Sequence, residues 1–307
     1  MRKSLPLLAM ASLYVIVQVA AVLLAPLFLP QFSAFPDPND PANPFIYIFL
    51  VLVMTGILLI LIKLGRKRII QGIFYVSIFI TMLYVFLPLF LLVDQVGYIA
   101  LVASLALAAG LMYLLYKSGE WYIIDSIGLI IAIGVTAILG MSLGILPVII
   151  LLVIMAVYDA ISVYKTKHMV TLAEGVTPLR LPVLFVVPQE KGFTMEKVEK
   201  RGTLLPENKE ERDAFFMGLG DTVIPGILVV SATLFLPASP SFLITANYWA
   251  AFGALVGGLA GYLLLMRYVL RGNPQAGLPF LNTGAILGYF IAYALAYGQI
   301  GLGMIGL

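Results

Sequence analysis

The sequence predicts an all-α polytopic membrane protein with nine transmembrane helices arranged six plus three, the N-terminus cytoplasmic and the C-terminus extracytoplasmic. Composition is the first reason. Of 307 residues, 62% are hydrophobic and only 11% charged, against about 25% charged in a soluble domain, and the mean hydropathy is +1.07. Such a chain cannot cover a water-facing surface, which excludes a soluble enzyme, a nucleic-acid binder and a disordered regulator. The second reason is the recurrence of apolar stretches at bilayer length. The third is the distribution of basic residues, which falls on one side when those stretches are counted alternately.

A spanning helix needs about 20 apolar residues rising about 1.5 Å each. Nine stretches qualify: 5–30, 45–64, 69–93, 97–116, 121–140, 145–164, 214–236, 242–270 and 278–307. The first follows Arg2 and Lys3 as a signal peptide would. Its apolar run of about 25 exceeds the roughly 7–15 residues of a signal-peptide core, so it is expected to remain as a helix. One side of the membrane receives Arg2 and Lys3, then Lys63, Arg66, Lys67 and Arg68, then Lys117, nine residues between 165 and 213, Arg267 and Arg271. That is all 18 of the basic residues, whereas the 31–44 loop opposite carries Asp37 and Asp40. Basic loops stay in the cytoplasm, and one miscounted span would scatter the charges, so the pattern also supports nine.

The chain therefore reads as a six-helix part over 1–164, a cytoplasmic linker over 165–213 and a three-helix part over 214–307. Charges alternate from Glu190 to Asp213, the mark of a solvated linker. Within the linker, the apolar segment 181–188 is bracketed by Pro182 and Pro188 and reads as a short strand. It either rests on the bilayer surface or is an edge strand that receives an extended peptide by β-addition.

Three acidic residues, Asp125, Asp159 and Asp221, fall inside apolar stretches, where an ionisable group is costly and marks a functional site. Asp159 lies five residues from the inner end of its stretch, about 7–8 Å deep, and Asp221 seven residues into the next, about 10 Å deep. Two carboxylates on consecutive antiparallel helices thus reach similar depth with no lysine or arginine beside them. Facing each other in a low dielectric they would share a proton and titrate as a pair. That state suits an aspartic peptidase, and equally a proton- or cation-coupled transporter or ion leak. Asp125, four residues past Trp121, is expected at the headgroups or paired with Lys117. Zero cysteines exclude thiol chemistry and disulfides, and the single histidine, His168, makes a metal site unexpected. No cofactor is expected.

Around Asp221 the chain reads Gly218-Leu219-Gly220-Asp221, then Pro225-Gly226. The glycines remove side chains and would let a helix or a substrate backbone approach. Pro225 has no N–H to give to the Asp221 carbonyl four residues earlier. Pro279, Phe280 and Leu281 open the last helix, and Gly253, Gly257 and Gly261 form a stripe suited to helix–helix contact. Trp121, Tyr248 and Trp249 fit interfacial aromatic belts.

At these residues the sequence resembles the presenilin and signal peptide peptidase family of intramembrane aspartyl proteases. The resemblance rests on Tyr158-Asp159, Gly218-Leu219-Gly220-Asp221 and Pro279-Phe280-Leu281, in that order in the sixth, seventh and ninth helices. It implies Asp159 and Asp221 as the catalytic dyad, with Tyr158, Gly218, Leu219, Gly220, Pro279, Phe280 and Leu281 shaping the active site or binding substrate. The family pattern is Pro-Ala-Leu, and Phe280 departs from it. Ala156-Val157-Tyr158-Asp159 looks presenilin-like, residues 218–227 look closer to signal peptide peptidase, and the charge count favours the presenilin orientation. The resemblance implies transmembrane-helix substrates, including single-span proteins and leftover signal peptides, cut within the bilayer. A chain of this size suggests a microbial homologue in the cell membrane, working without the accessory subunits of γ-secretase and open to homo-oligomerisation, with no nucleic-acid partner. Against a transporter stands the lack of a repeat between the halves; against a prepilin peptidase stand the nine stretches and the late Pro-x-Leu; against a scaffold stands the cost of two buried acids.

Overall fold

The computed structural model describes residues 4–28, 32–94, 97–166, 179, 181–189, 192–195, 214–269, 275–299 and 302–305. Arg2, Lys3, His168, the charged residues from Glu190 to Asp213 and Arg271 lie outside the described residues. The helices are α1 (Ser4–Leu24), α2 (Asn43–Lys63), α3 (Lys67–Leu91), α4 (Tyr98–Ser118), α5 (Trp121–Ser142), α6 (Ile145–Ala160), α7 (Leu219–Phe235), α8 (Ala246–Val269) and α9 (Leu278–Tyr297). Among the described residues between α6 and α7 lie two strands, β1 (Leu184–Pro188) and β2 (Ala214–Gly218). Among the described residues eight helices are long and apolar enough to cross a membrane. The protein is an integral multi-pass membrane protein. The remaining helix, α7, has 17 residues, at the lower edge of spanning length.

Two segments differ from the expected helices. The stretch 214–236 does not begin as a helix: residues 214–218 are strand β2, and α7 starts at Leu219. An apolar run of this kind does not distinguish strand from helix by its periodicity, and pairing with β1 decides the outcome. Likewise α6 ends at Ala160 and continues as a π-helix over Ile161–Lys165. Asp159 therefore sits in the last α-turn, and Asp221 is the third residue of α7 rather than the eighth of a longer helix.

The chain forms two compact units interleaved along the sequence. The first comprises Met1–Met10, Val53–Gly134 and Val170–Leu219. In it α3 packs against α4, and Gly134 of α5 lets the Val85 side chain of α3 press against its backbone. The strand expected over 181–188 is present as β1, shorter at its start. It pairs antiparallel with β2, Leu184 opposite Gly218 and Val186 opposite Phe216. Phe185 and Val186 are buried, as are Phe215 and Met217.

The second unit comprises Ala11–Leu52, Val135–Met169 and Gly220–Leu307. Its core joins Leu143, Val148, Leu151 and Leu152 to Ile227 and Leu228 of α7, Ala254 of α8 and Tyr289 of α9. The glycine stripe of α8 is a helix contact, as expected. Gly257 faces the Gly284 carbonyl of α9, Gly253 faces the Gly288 carbonyl, and Gly261 faces the Phe280 carbonyl. Any side chain on this stripe would push the two backbones apart, because small residues are what let them approach so closely. Two buried polar groups of this core find backbone acceptors, where no water is at hand to replace them. Ser231 Oγ donates to the Leu143 carbonyl at 2.8 Å, and Asn282 Nδ2 donates to the Leu152 carbonyl at 2.8 Å.

Candidate active site

The second unit brings both expected aspartates to one point, the opening of α9. Asp159 is 7% exposed. Its Oδ2 accepts the Leu278 N–H at 3.1 Å. Leu278 is the first residue of α9, and the residue capping that helix is Gly277, which has no side chain to bond the free N–H groups. The first N–H groups of a helix lack intrahelical partners. Pro279 removes one of them, and the Asp159 carboxylate, arriving from α6, satisfies another.

Asp221 meets the same turn from the other helix. A Cβ placed on Gly277 would lie 2.9 Å from its Oδ1 and 3.0 Å from its Cγ and Oδ2. The carboxylate therefore lies flat against the glycine, in space that any other residue would fill. Since Gly277 and Leu278 are adjacent, covalent geometry bounds the separation of the two carboxylates at about 10 Å. Asp221 stands in the first turn of α7, so the beginnings of two helices and the end of a third converge on the pair.

The segment leading into α9 is held from the α6 side a second time. Tyr164, in the π-helix beyond Asp159, donates its hydroxyl hydrogen to Gln275 Oε1 at 2.8 Å and accepts the Ala276 N–H at 3.2 Å. Residues 275–278 are thereby fixed at both ends by the chain that carries Asp159. A π-turn at such a place is common at functional sites.

The other residues expected at the site divide. Tyr158 packs against the core of the second unit. Leu281 is fully buried, and Pro279 and Phe280 are half-buried. The Phe280 ring packs on Tyr268 of α8, with centroids 5.5 Å apart, so the departure from alanine is absorbed by an aromatic contact between helices. Gly218 ends β2, and Leu219 donates its N–H to the Val183 carbonyl at 3.2 Å, which makes both part of the hairpin of the first unit. Gly220 is exposed, and nothing lies within 4 Å of where its Cβ would be. Among the described residues no neighbouring helix uses that glycine; the close approach expected there occurs at Gly226, where a Cβ would lie 2.8 Å from Thr136 Cγ2 and 3.2 Å from Gln18 Cγ. Pro225 lies inside α7, which runs on through it.

Asp125 is not paired with Lys117. Its Oδ1 accepts the Val186 N–H of β1 at 2.8 Å, and Lys117 Nζ lies over the Tyr113 ring. Gly277 and Tyr164 are the site residues that sequence reasoning missed. A glycine immediately before a helix that opens Leu-Pro was the available signal for the first; nothing in the sequence links Tyr164 to residues more than a hundred positions away.

A family model described as "Signal-peptide peptidase, presenilin aspartyl protease" matches residues 11–298. The chain belongs to this family. Two crystal forms of a presenilin family intramembrane aspartate protease, in space groups C222 and P2, superpose with TM-scores of 0.68 and 0.67. Both are 38% identical; the match covers 95% of this chain and 100% and 99% of theirs. Signal peptide peptidase of Homo sapiens is 28% identical over 144 residues, 47% of this chain and 33% of that protein. Signal peptide peptidase of Mus musculus is 27% identical over 197 residues, 64% of this chain and 46% of that protein. The matched region thus spans less than half the length of these curated relatives. Membership of this family gives the convergence at Gly277 a chemical context, because the family is one of aspartyl proteases.

Proposed function

We propose that the protein is an intramembrane aspartic endopeptidase, a hydrolase in which Asp159 and Asp221 form the catalytic dyad. The observation that carries this is the convergence of the two carboxylates on Gly277 and Leu278, at about 10 Å or less, in a chain of the presenilin and signal peptide peptidase family. Close carboxylates in a low dielectric share one proton. The ionised member takes a proton from water, which attacks the scissile carbonyl; the protonated member donates to the carbonyl oxygen. The tetrahedral intermediate then collapses: the carboxyl that took the water proton gives it to the departing nitrogen, and the other carboxylate takes back a hydroxyl proton, restoring the shared-proton state. Proteolysis is preferred over ion or solute transport because nothing in the fold or family favours the latter.

The substrates on this reading are transmembrane segments of single-span proteins or leftover signal peptides. An intact helix hides its carbonyls in hydrogen bonds, so the substrate must unwind locally, and unpaired backbone groups in hydrocarbon cost several kcal/mol each. The β1–β2 hairpin of the first unit offers backbone groups for an unwound strand; in the second unit, nothing among the described residues lies within 4 Å of where a Cβ on Gly220 would be, room for a substrate backbone. The α7 helix completes nine spans in a six-plus-three order, with the basic loops and the dyad on the cytoplasmic side. No accessory subunit is required.

The test is cleavage by the purified protein in lipid vesicles of a single-span substrate, with products mapped by mass spectrometry. Cuts inside the span, lost in Asp159→Asn and in Asp221→Asn, are expected. Cleavage that survives either substitution would refute the dyad.

A further inference from the structure

Asp125 is the third acid in the apolar helices, and the proposed chemistry does not use it. It stands in the second turn of α5, and its Oδ1 receives the Val186 N–H at 2.8 Å across 61 positions of sequence. One turn further along α5, Gly128 offers a gap. A Cβ there would lie 3.6 Å from Phe185 Cε1 and 3.5 Å from Leu219 Cδ1. Phe185 is fully buried and Val186 is 1% exposed. The first half of α5 thus presents an acceptor for the backbone of β1 and, beside it, a seat for the Phe185 ring and for the first residue of α7.

The ladder explains why this N–H needs an acceptor outside the sheet. In an antiparallel pair, opposed residues alternate between those that exchange hydrogen bonds and those whose N–H and C=O face outward. Leu219 N–H bonds to the Val183 carbonyl, which sets the phase. With Leu184 opposite Gly218, residues 185 and 187 bond inward to β2, and Leu184 and Val186 face outward. Pro188 has no N–H at all. The outer edge of β1 therefore holds two donors, and Asp125 occupies one of them. A buried backbone donor without an acceptor is costly, and an open edge invites pairing with any extended chain.

We infer that Asp125 is a positioning residue: by accepting the Val186 N–H it locks the β1–β2 hairpin on α5, occupies one of the two outward donors of β1, and so sets the register in which an unwound substrate meets the strand that runs into Asp221. This rests on the proteolytic reading only for its effect on the cut; the clamp itself is independent of that reading. An incoming strand would have to displace Asp125 to pair along β1.

The experiment compares wild type, Asp125→Leu and Asp125→Asn in lipid, with two readouts. Amide hydrogen exchange of the peptide covering 184–188 reads the clamp, and mass spectrometry of a single-span substrate's products reads its consequence. Asp125→Leu fills similar volume without an acceptor. It is expected to raise exchange of the β1 peptide about tenfold or more, to spread the cut over neighbouring bonds and to lower kcat/KM chiefly through KM. Asp125→Asn retains an acceptor oxygen and is expected to restore protection and the wild-type cut position. Unchanged exchange and cut positions in Asp125→Leu would overturn the inference, as would an Asp125→Asn variant as defective as Asp125→Leu. If wild type fails to cut any span, the proteolytic reading falls, while the exchange comparison still decides the clamp.

Discussion

Replacing Gly277 by alanine should separate the geometry of the dyad from the stability of the fold. The backbone at Gly277 has φ −79° and ψ −49°, a right-handed conformation that alanine adopts without strain. Loss of glycine's freedom in the unfolded chain favours the folded state by about 0.4–1 kcal/mol. The added methyl, however, would sit 2.9 Å from Asp221 Oδ1 and 3.0 Å from its Cγ and Oδ2, whereas ordinary contacts begin near 3.4 Å. The carboxylate must retreat by about half an ångström or leave its rotamer, at a cost of about 0.5–1.5 kcal/mol. These opposed amounts nearly cancel, so thermal unfolding in detergent should move little in either direction. Catalysis does not cancel. Asp159 stays tied to Leu278 while Asp221 is pushed away from the same turn, and a misplacement approaching 1 Å can cost about a hundredfold. A ten- to hundredfold loss in kcat with an unchanged melting temperature is expected in the vesicle cleavage assay. Full activity in Gly277→Ala would refute the placement of Asp221 against Gly277 and the mechanism built on it.

Three further outcomes follow from the same arrangement. A pair sharing one proton lacks a base at low pH and lacks an acid at high pH, so cleavage against pH should be bell-shaped; a plateau on the alkaline side would show that only one carboxylate matters. Gly257→Val drives a branched side chain into the Gly284 carbonyl, with Gly288 Cα 2.9 Å from the new Cβ; overpacking of this kind costs about 1–3 kcal/mol, visible as a lowered unfolding midpoint. Phe280→Ala removes the ring contact with Tyr268, worth about 0.5–1.5 kcal/mol; stability should fall by that order while cleavage persists, because the ring is engaged with α8.

The candidate pair was legible because ionisable residues are so rare in apolar helices that each one stands out: cost singled out Asp125, Asp159 and Asp221, and their expected depths paired the last two before any motif. The stripe Gly253, Gly257 and Gly261 was legible because its four-residue spacing puts the glycines on one helix face, and the structure fills that face with the α9 backbone. Asp125 was as conspicuous, yet its partner was not, since the Val186 N–H is a backbone group that any residue could have offered. Phe280 was seen as a departure, but which neighbour takes up its ring depends on where α8 passes.

Sequence alone determined what the bilayer demands: apolar stretches of spanning length, basic residues segregated by position, and a few acids too costly to be accidental. Those properties are local, set by transfer free energies and by periodicities of a few residues. Tertiary structure alone decided that residues 214–218 are a strand, because an apolar run satisfies its backbone either by coiling on itself or by pairing with a distant segment, and β1 was there to pair. It alone decided that Asp159 caps α9 through Leu278 and that Asp221 rests on Gly277. A helix terminus leaves donors unsatisfied without specifying who accepts them, and only the packing of α6, α7 and α9 brings both carboxylates to that one turn.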